Sequence, residues 1–149
     1  MKLFLVIFTI FYTIPMHAQT SEEEAIKESI NLFFRGMYEA DTAMIKSVLT
    51  EKTVFHTITN NRNDPGNPGQ ESIPGFLKSI SQLSPGDANE KIIFQSILID
   101  GDLAHVWTPY EFFYKEKLSH TGVNSFQLVK INNSWKIVYI IDTRRKPAK

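Results

Sequence analysis

The stretch that decides the fold is YEFFYKEKLSHTGVNSFQLVKINNSWKIVYI, which runs from Tyr110 to Ile140. Apolar and polar residues alternate through most of it, and this period of two is typical of β-strands that cover a core with one face. Two short polar pairs, Glu116-Lys117 and Asn132-Asn133, interrupt the alternation where tight turns are expected. The stretch therefore predicts consecutive antiparallel hairpins, that is, a meander.

The same alternation continues on both sides of this stretch. We predict strands over 91–99, 102–115, 118–131 and 134–143, and the pair Asp100-Gly101 is the strongest hairpin signal among their turns. The last third of the chain is therefore expected to form a four-stranded antiparallel sheet.

The N-terminal half has the period of helices instead. Ile26, Ile30, Phe33 and Met37 recur at spacings of three and four, behind a capping box that spans residues 21–24. This pattern predicts a long amphipathic helix that begins at the capping box.

Shorter elements are expected between this helix and the meander. Asp41 is a candidate N-cap for a second helix, Thr53 to Thr59 alternates like a strand, and residues 71–83 have the pattern of a third helix. Residues 60–69, rich in Asn, Pro and Gly, are expected to form a loop. The predicted fold class is α+β, with three helices in the N-terminal half and one covering sheet.

Two-residue turns fix which side chains of a hairpin lie opposite each other and share a face. Counting from Glu116-Lys117 places Phe113 opposite His120, with Glu111 as the diagonal neighbour of His120. Counting from Asn132-Asn133 adds Asn124 to the same face. We expect the helices to cover this face, whose larger apolar side chains include Trp107, Phe113, Phe126 and Tyr139.

The opposite face of the sheet, here called the outer face, is also expected to be apolar. Its predicted apolar members are Ile93, Ile97, Val106, Tyr110, Phe112, Val123, Val129, Val138 and Ile140. A contiguous exposed apolar patch usually binds a partner. Pairing of two sheets is the simplest way to cover it, so we expect a homodimer through the outer face.

Residues 1–18 have the order of a signal peptide: Lys2, an apolar run from Leu3 to Ile14, and the small residue Ala18 at the cleavage position. The run is shorter than the roughly 20 residues that span a bilayer as a helix. An uncleaved membrane anchor is the alternative interpretation of this segment. We expect cleavage and a periplasmic or secreted mature chain, residues 19–149, that forms one domain and does not associate with a membrane.

Charge and cysteine content exclude several classes of protein. The chain has 16 basic and 16 acidic side chains and no Cys. Balanced charge argues against binding to nucleic acid, and the absence of Cys excludes disulfides, thiol nucleophiles and thiolate metal sites. The four histidines are not spaced like metal ligands, so we expect no metal and no cofactor.

Four short motifs, W-x-P-Y at 107–110, H-x-G at 120–122, F-x-L-V-K at 126–130 and W-K-I at 135–137, resemble the nuclear transport factor 2-like superfamily. Within it they are most similar to a bacterial branch described as "putative lumazine-binding". The resemblance covers essentially the mature chain. It implies a cystatin-like cone, in which the curved sheet wraps around the helices and leaves a pocket at its open end. Relatives often carry Cys where this chain has Thr121.

Three functions are open from the sequence. The first is binding of a small, partly aromatic molecule in the pocket, for which the candidate ligand contacts are His56, Trp107, Phe113, Asn124, Phe126 and Tyr139. The second is a cofactor-free dehydratase, isomerase or cyclase, in which His120 is the base and Glu111 orients it, because a His–carboxylate pair suits acid–base catalysis. The third is an interaction or dimerisation module. We favour ligand binding.

Overall fold

The computed structural model describes residues 16–59 and 67–147. Within these residues the elements in chain order are α1 (Met16–Tyr38), α2 (Thr42–Val48), β1 (Leu49–Thr59), β2 (Gly69–Glu71), α3 (Ile73–Ser81), β3 (Ala88–Ile92), β4 (Ser96–Asp100), β5 (Leu103–Tyr114), β6 (Lys117–Ile131) and β7 (Ser134–Arg145). The predicted signal peptide lies outside the described residues except for 16–18, and most of the predicted loop, 60–66, also lies outside them.

The described strands form one curved, unclosed sheet in the order β2-β1-β7-β6-β5-β3, with β4 also paired to β5. β1 runs parallel to β7, whereas the other pairs are antiparallel. The sheet is therefore mixed, and the predicted α+β class with three helices against a curved sheet is confirmed. None of the helices in the described part of the chain is long and apolar enough to span a membrane.

The first helix buries the predicted apolar stripe but begins earlier than predicted. Ile26 and Ile30 are fully buried, and Phe33 and Met37 are nearly so. The helix starts at Met16, so the predicted start at the capping box is wrong. Near this end the Glu22 carboxylate accepts hydrogen bonds from Lys130 Nζ at 2.6 Å and Trp135 Nε1 at 2.9 Å, which fix α1 to the sheet.

The two shorter helices begin at side-chain caps. Asp41 accepts hydrogen bonds from the backbone N–H groups of residues 43 and 44, as predicted for an N-cap. Ser72 caps α3 in the same way, and Pro74 lies in the first turn, where its missing N–H costs little. α3 thereby closes one side of the core beside α1.

The hairpin between β5 and β6 differs from the predicted register by one residue. Its turn is Lys115-Glu116, and both residues have the positive φ angles of a type I′ turn, 50° and 64°. A β-bulge follows at Ser119, so that Phe112 pairs with His120. The turn and the bulge together shift the pairing by one residue, so the predicted pairing of Phe113 with His120 is wrong.

The hairpin between β6 and β7 has the predicted turn, Asn132-Asn133, with φ angles of 50° and 60°. Farther along, a bulge at Val138 shifts the pairing, and Asn124 lies opposite Asp142 rather than Ile141. The bulge moves the following β7 residues to the other face. Tyr139 therefore lies on the outer face, and Asp142 lies on the helix-covered face.

The hairpin between β4 and β5 turns at Gly101 and the residue after it, because Asp100 pairs with Leu103. Ser96 consequently pairs with Trp107, which was predicted to pair with Phe94. This offset is two residues, an even number, so the same residues of β4 and β5 share a face as predicted.

The one-residue shift between β5 and β6 exchanges the two faces of β5. Its residues on the helix-covered face are Ala104, Val106, Thr108, Tyr110 and Phe112, and the first four are buried. Trp107 and Glu111 are exposed on the outer face. That face remains apolar as predicted, but with other members, among them Ile58, Leu98, Leu103 and Trp107.

Candidate functional site

A cavity of ≈ 340 Å³ lies between α1, α3 and the helix-covered face of the sheet. Its volume falls within the range of small-molecule pockets, which starts at about 300 Å³. Most of its wall is apolar and is formed by Phe33, Phe34, Met37, Phe55, Phe76, Ile80, Phe112, Phe126 and Ile140.

The aromatic rings of this wall pack against one another before any ligand is present. Phe33 stacks on Phe76 with a centroid distance of 5.8 Å, and Phe55 contacts the same ring edge-on at 5.1 Å. Phe126 is fully buried and meets Phe34 edge-on at 5.9 Å. Mutual contacts of this kind fix the ring positions, so the wall is a preformed apolar surface.

Asp142 is the centre of a buried polar network at the cavity. Its Oδ1 accepts a hydrogen bond from Thr57 Oγ1 at 2.5 Å, and its Oδ2 accepts from Tyr110 Oη at 2.9 Å and Arg144 Nε at 3.0 Å. Tyr110 Oη also lies 3.0 Å from the carbonyl oxygen of Thr143. Three donors satisfy this carboxylate, so Asp142 holds Tyr110 and Arg144 in place.

Glu90 is a second carboxyl group at the cavity, and its surroundings are different. Its Oε1 accepts a hydrogen bond from Asn124 Nδ2 at 2.7 Å. Burial, to which the negative charge of Asp142 adds, raises the pKa of Glu90 to about 7, although the hydrogen bond from Asn124 lowers it. Near neutral pH this carboxyl group is therefore able both to accept and to release a proton.

His120 lines the cavity between two aromatic rings of β5. Its imidazole lies 4.9 Å from the ring of Phe112 and 5.7 Å from that of Tyr110, centroid to centroid. Burial, together with the positive charge of Arg144, lowers the pKa of His120 below 6.5. The shift favours the neutral imidazole, and its Nδ1 lies 3.1 Å from Ser119 Oγ.

The structure brings three of the predicted site residues to the cavity through their side chains: His120, Asn124 and Phe126. Glu111 pairs with Thr121 and is exposed on the outer face, so the expected contact between Glu111 and His120 is absent from the described structure. The predicted register of this hairpin was wrong, which is why Glu111 and His120 lie on opposite faces of the sheet.

Of the other predicted ligand contacts, Trp107, Phe113 and Tyr139 lie away from the cavity, and only His56 borders it. Trp107 is exposed on the outer face, and Phe113 carries Lys91 Nζ over its ring at 4.7 Å. His56 borders the cavity, but its Nδ1 lies 3.0 Å from the hydroxyl of Tyr139, whose side chain is on the outer face. The bulge in β7 accounts for the position of Tyr139.

Sequence reasoning missed Glu90, Tyr110, Asp142 and Arg144. Glu90 was left outside the predicted strand, and Tyr110 and Asp142 were assigned to the outer face because the bulges leave no clear mark in the pattern. An available signal was Asp142, which directly follows an apolar run in the last strand, because a carboxyl group in such a position needs a partner.

The described residues contain no group of three His, Asp or Glu side chains that could hold a metal ion. Four charged side chains line the cavity among these residues, namely Glu71, Glu90, Asp142 and Arg144. They offer proton transfer, hydrogen bonding and charge complementarity as the available chemistry.

Comparison with known proteins matches residues 21–140 to the model of the family described as "putative lumazine-binding". No curated protein matches the chain significantly. Solved structures with the same fold include a nuclear transport factor 2-like protein of unknown function from Shewanella baltica, with 17% identity, a TM-score of 0.66 and coverage of 87% of this chain and 97% of that one.

Two further similar structures have lower sequence identity. One is a nuclear transport factor 2-like protein of unknown function from Silicibacter pomeroyi, with 12% identity, a TM-score of 0.69, and coverage of 85% of this chain and 98% of that one. The other is described as a "putative dehydratase" from Streptomyces avermitilis, with 13% identity, a TM-score of 0.62, and coverage of 87% and 99%. At such identities the likeness shows the fold alone.

Proposed function

The chain belongs to the family described as "putative lumazine-binding", and from this membership and its cavity we propose that it binds a small, flat, aromatic molecule. The observation that carries the proposal is the combination of a preformed aromatic wall with a few polar side chains, Glu90, Asn124 and His120, at one cavity. Such a combination is characteristic of small-molecule sites, where apolar area supplies affinity and a few polar groups supply orientation.

A second candidate function is cofactor-free lyase or isomerase activity in the same cavity. It is favoured by the pKa of Glu90, about 7, because a general acid or base works best when its pKa is near the operating pH. In this candidate Glu90 replaces Glu111 as the carboxyl group, with neutral His120 beside it. A binder gives no turnover with any ligand, whereas an enzyme loses turnover in His120→Ala and still binds.

Substitution of Ser79 by Phe is expected to abolish ligand binding. Ser79 is an exposed residue of α3 at the border of the cavity, so a phenyl ring there would fill the entrance without disturbing the core. We expect flat aromatic molecules, lumazine among them, to bind the wild type in ligand-observed NMR and to bind Ser79→Phe at least tenfold more weakly.

The matched control is Ser81→Phe, because Ser81 is exposed on the same helix and does not line the cavity. It should bind like the wild type. Equal binding by Ser79→Phe and the wild type, or no binding by the wild type of any molecule tested, would contradict the proposed function.

Export and dimerisation complete the proposal. The order of charged, apolar and small residues in 1–18 supports cleavage of a signal peptide and a periplasmic or secreted protein. The outer face supports a homodimer, because Leu98 and Leu103 are 64% and 51% exposed beside Trp107. If another protein covers this face instead, the chain is an interaction module.

Leu98→Glu is expected to convert a dimer into a monomer, because the charge would be buried between two sheets. Light scattering should give twice the mass of residues 19–149 for the wild type and one such mass for Leu98→Glu. Tyr38→Glu, at an exposed position of α1, should remain dimeric. A monomeric wild type rules out the homodimer, and a denatured mass that includes residues 1–18 rules out cleavage.

A further inference from the structure

The cavity offers hydrogen-bond acceptors where Glu90 meets Asn124. Asn124 directs one amide hydrogen to Glu90 and the other towards Thr108 Oγ1 at 3.4 Å, so its Oδ1 remains as an acceptor. The second oxygen of Glu90 accepts no hydrogen bond from a described residue, and no buried side-chain oxygen or nitrogen of the described chain lacks a partner. Both residues line the cavity, and these two oxygens are the acceptors that the pair offers there.

Asn124 is itself only 5% exposed, so the position of its amide is set by the sheet and by its two partners. The pair is thus a fixed arrangement of acceptors. It differs in this respect from Asp142, whose two oxygens are already satisfied by three donors. When Glu90 is ionised, a ligand that reaches the pair has to supply a donor, because a second acceptor would face unpaired oxygen atoms.

The charge of the lining favours the same kind of ligand. Among the described residues the carboxyl groups of Glu71, Glu90 and Asp142 are accompanied by one cation, Arg144. The Nε of Arg144 is held by Asp142, and burial lowers the pKa of His120, which disfavours the charged imidazole. When Glu90 is ionised, the excess of carboxylates repels an anionic ligand and attracts a cationic one.

We propose that Glu90 and Asn124 recognise an N–H donor, so that the ligand is a flat nitrogen compound with an amine, amidine or lactam group rather than a carboxylate or a phosphate. This inference rests on the proposed function, because it concerns the same cavity. It assigns to Glu90 the role of a ligand acceptor and to Asn124 that of a second acceptor and of the group that positions Glu90.

The test uses three probes with the same ring system: 2-naphthamidine, a cationic donor, 2-naphthamide, a neutral donor and acceptor, and 2-naphthoate, an anionic acceptor. At pH 8 we expect the wild type to bind the amidine at least tenfold more tightly than the naphthoate, with the amide between them. Isothermal titration calorimetry on the mature chain measures the three affinities.

Glu90→Gln, which keeps the size of the side chain and removes its charge, should weaken binding of the amidine about tenfold. The same substitution should reduce the difference in affinity between the amidine and the naphthoate. The matched control is Glu51→Gln, because Glu51 is an exposed glutamate of β1 outside the cavity, and it should bind all three probes like the wild type.

Equal or tighter binding of the naphthoate, failure of the amidine to bind the wild type, or an unchanged affinity in Glu90→Gln would overturn the inference. The Ser79→Phe variant shows whether only the inference about donor recognition fails or whether the proposed binding in the cavity fails too. Amidine binding that is lost in Ser79→Phe but unchanged in Glu90→Gln means that the cavity binds ligands without the proposed donor recognition. Amidine binding unchanged in both variants means that the proposed function fails as well.

Discussion

Glu90→Gln is expected to stabilise the protein at pH 8 by up to about 3 kcal/mol and to have little effect on stability at pH 4.5. The pKa of Glu90 rises from 4.5 to about 7 on folding, so the folded state binds the proton more tightly than the unfolded state. Stability from this group is therefore fully present below pH 4.5 and is lost as the pH rises to about 7. Glutamine remains neutral and keeps an oxygen for Asn124.

Urea unfolding of the wild type and of Glu90→Gln between pH 4.5 and pH 8 measures this effect. The two free energies of unfolding should converge at low pH and separate as the pH rises. Glu51→Gln, at an exposed position, should follow the wild type throughout. A Glu90→Gln variant that is no more stable than the wild type at pH 8 contradicts the raised pKa.

A carboxyl group that lowers stability at neutral pH is unusual where an apolar or amide side chain would fit. Such groups are typical of functional sites, because selection for binding or catalysis retains residues that stability alone would replace. One charged group at the cavity therefore has two expected consequences in Glu90→Gln. The variant gains stability at pH 8, and it binds the amidine more weakly.

Gly122→Ala is expected to destabilise the protein by at least about 4 kcal/mol, which for a domain of this size means little or no folded protein. A Cβ atom at this position would lie 2.6 Å from Cε1 of Tyr110 and still closer to the carbonyl oxygen of Thr143. Tyr110 cannot move away freely, because its hydroxyl is bonded to Asp142 and to that same carbonyl oxygen.

Gly69→Ala is the matched control, since among the described residues a Cβ atom there would meet no atom closer than the carbonyl oxygen of Thr57, at 3.8 Å. Soluble yield and the urea midpoint should fall sharply in Gly122→Ala and remain unchanged in Gly69→Ala. Removing the ring with Tyr110→Leu should not rescue Gly122→Ala, because the backbone oxygen of Thr143 still blocks the site. If Gly122→Ala lost less than about 1 kcal/mol of stability, the backbone around Thr143 would be able to move away from the added Cβ atom, contrary to this prediction.

The helices and the fold class could be predicted because their signals are local. The apolar stripe of α1 and the N-cap Asp41 act within a few residues of themselves, and the structure contains both. The turn Asn132-Asn133 was also predictable, since Asn tolerates the positive φ angles that a type I′ turn requires.

The register of the sheet could not be predicted in the same way. Lys115 and Glu116 form the same type of turn, although neither residue type favours the positive φ angles that it requires. The bulges at Ser119 and Val138 depend on how the sheet curves around the helices. Each bulge changes the face of every residue beyond it. Of the residues predicted for the site, those on β6, among them His120 and Asn124, therefore border the cavity, and those on β5 and β7 lie away from it.

The most direct test of ligand binding in the cavity is a crystal structure of residues 19–149 with whichever of the three naphthyl probes binds most tightly. We expect the molecule in the cavity between α1, α3 and the sheet, against the rings of Phe33 and Phe112, with an N–H group within hydrogen-bond distance of Glu90. A molecule bound only on the outer face, with the cavity empty, would contradict this expectation.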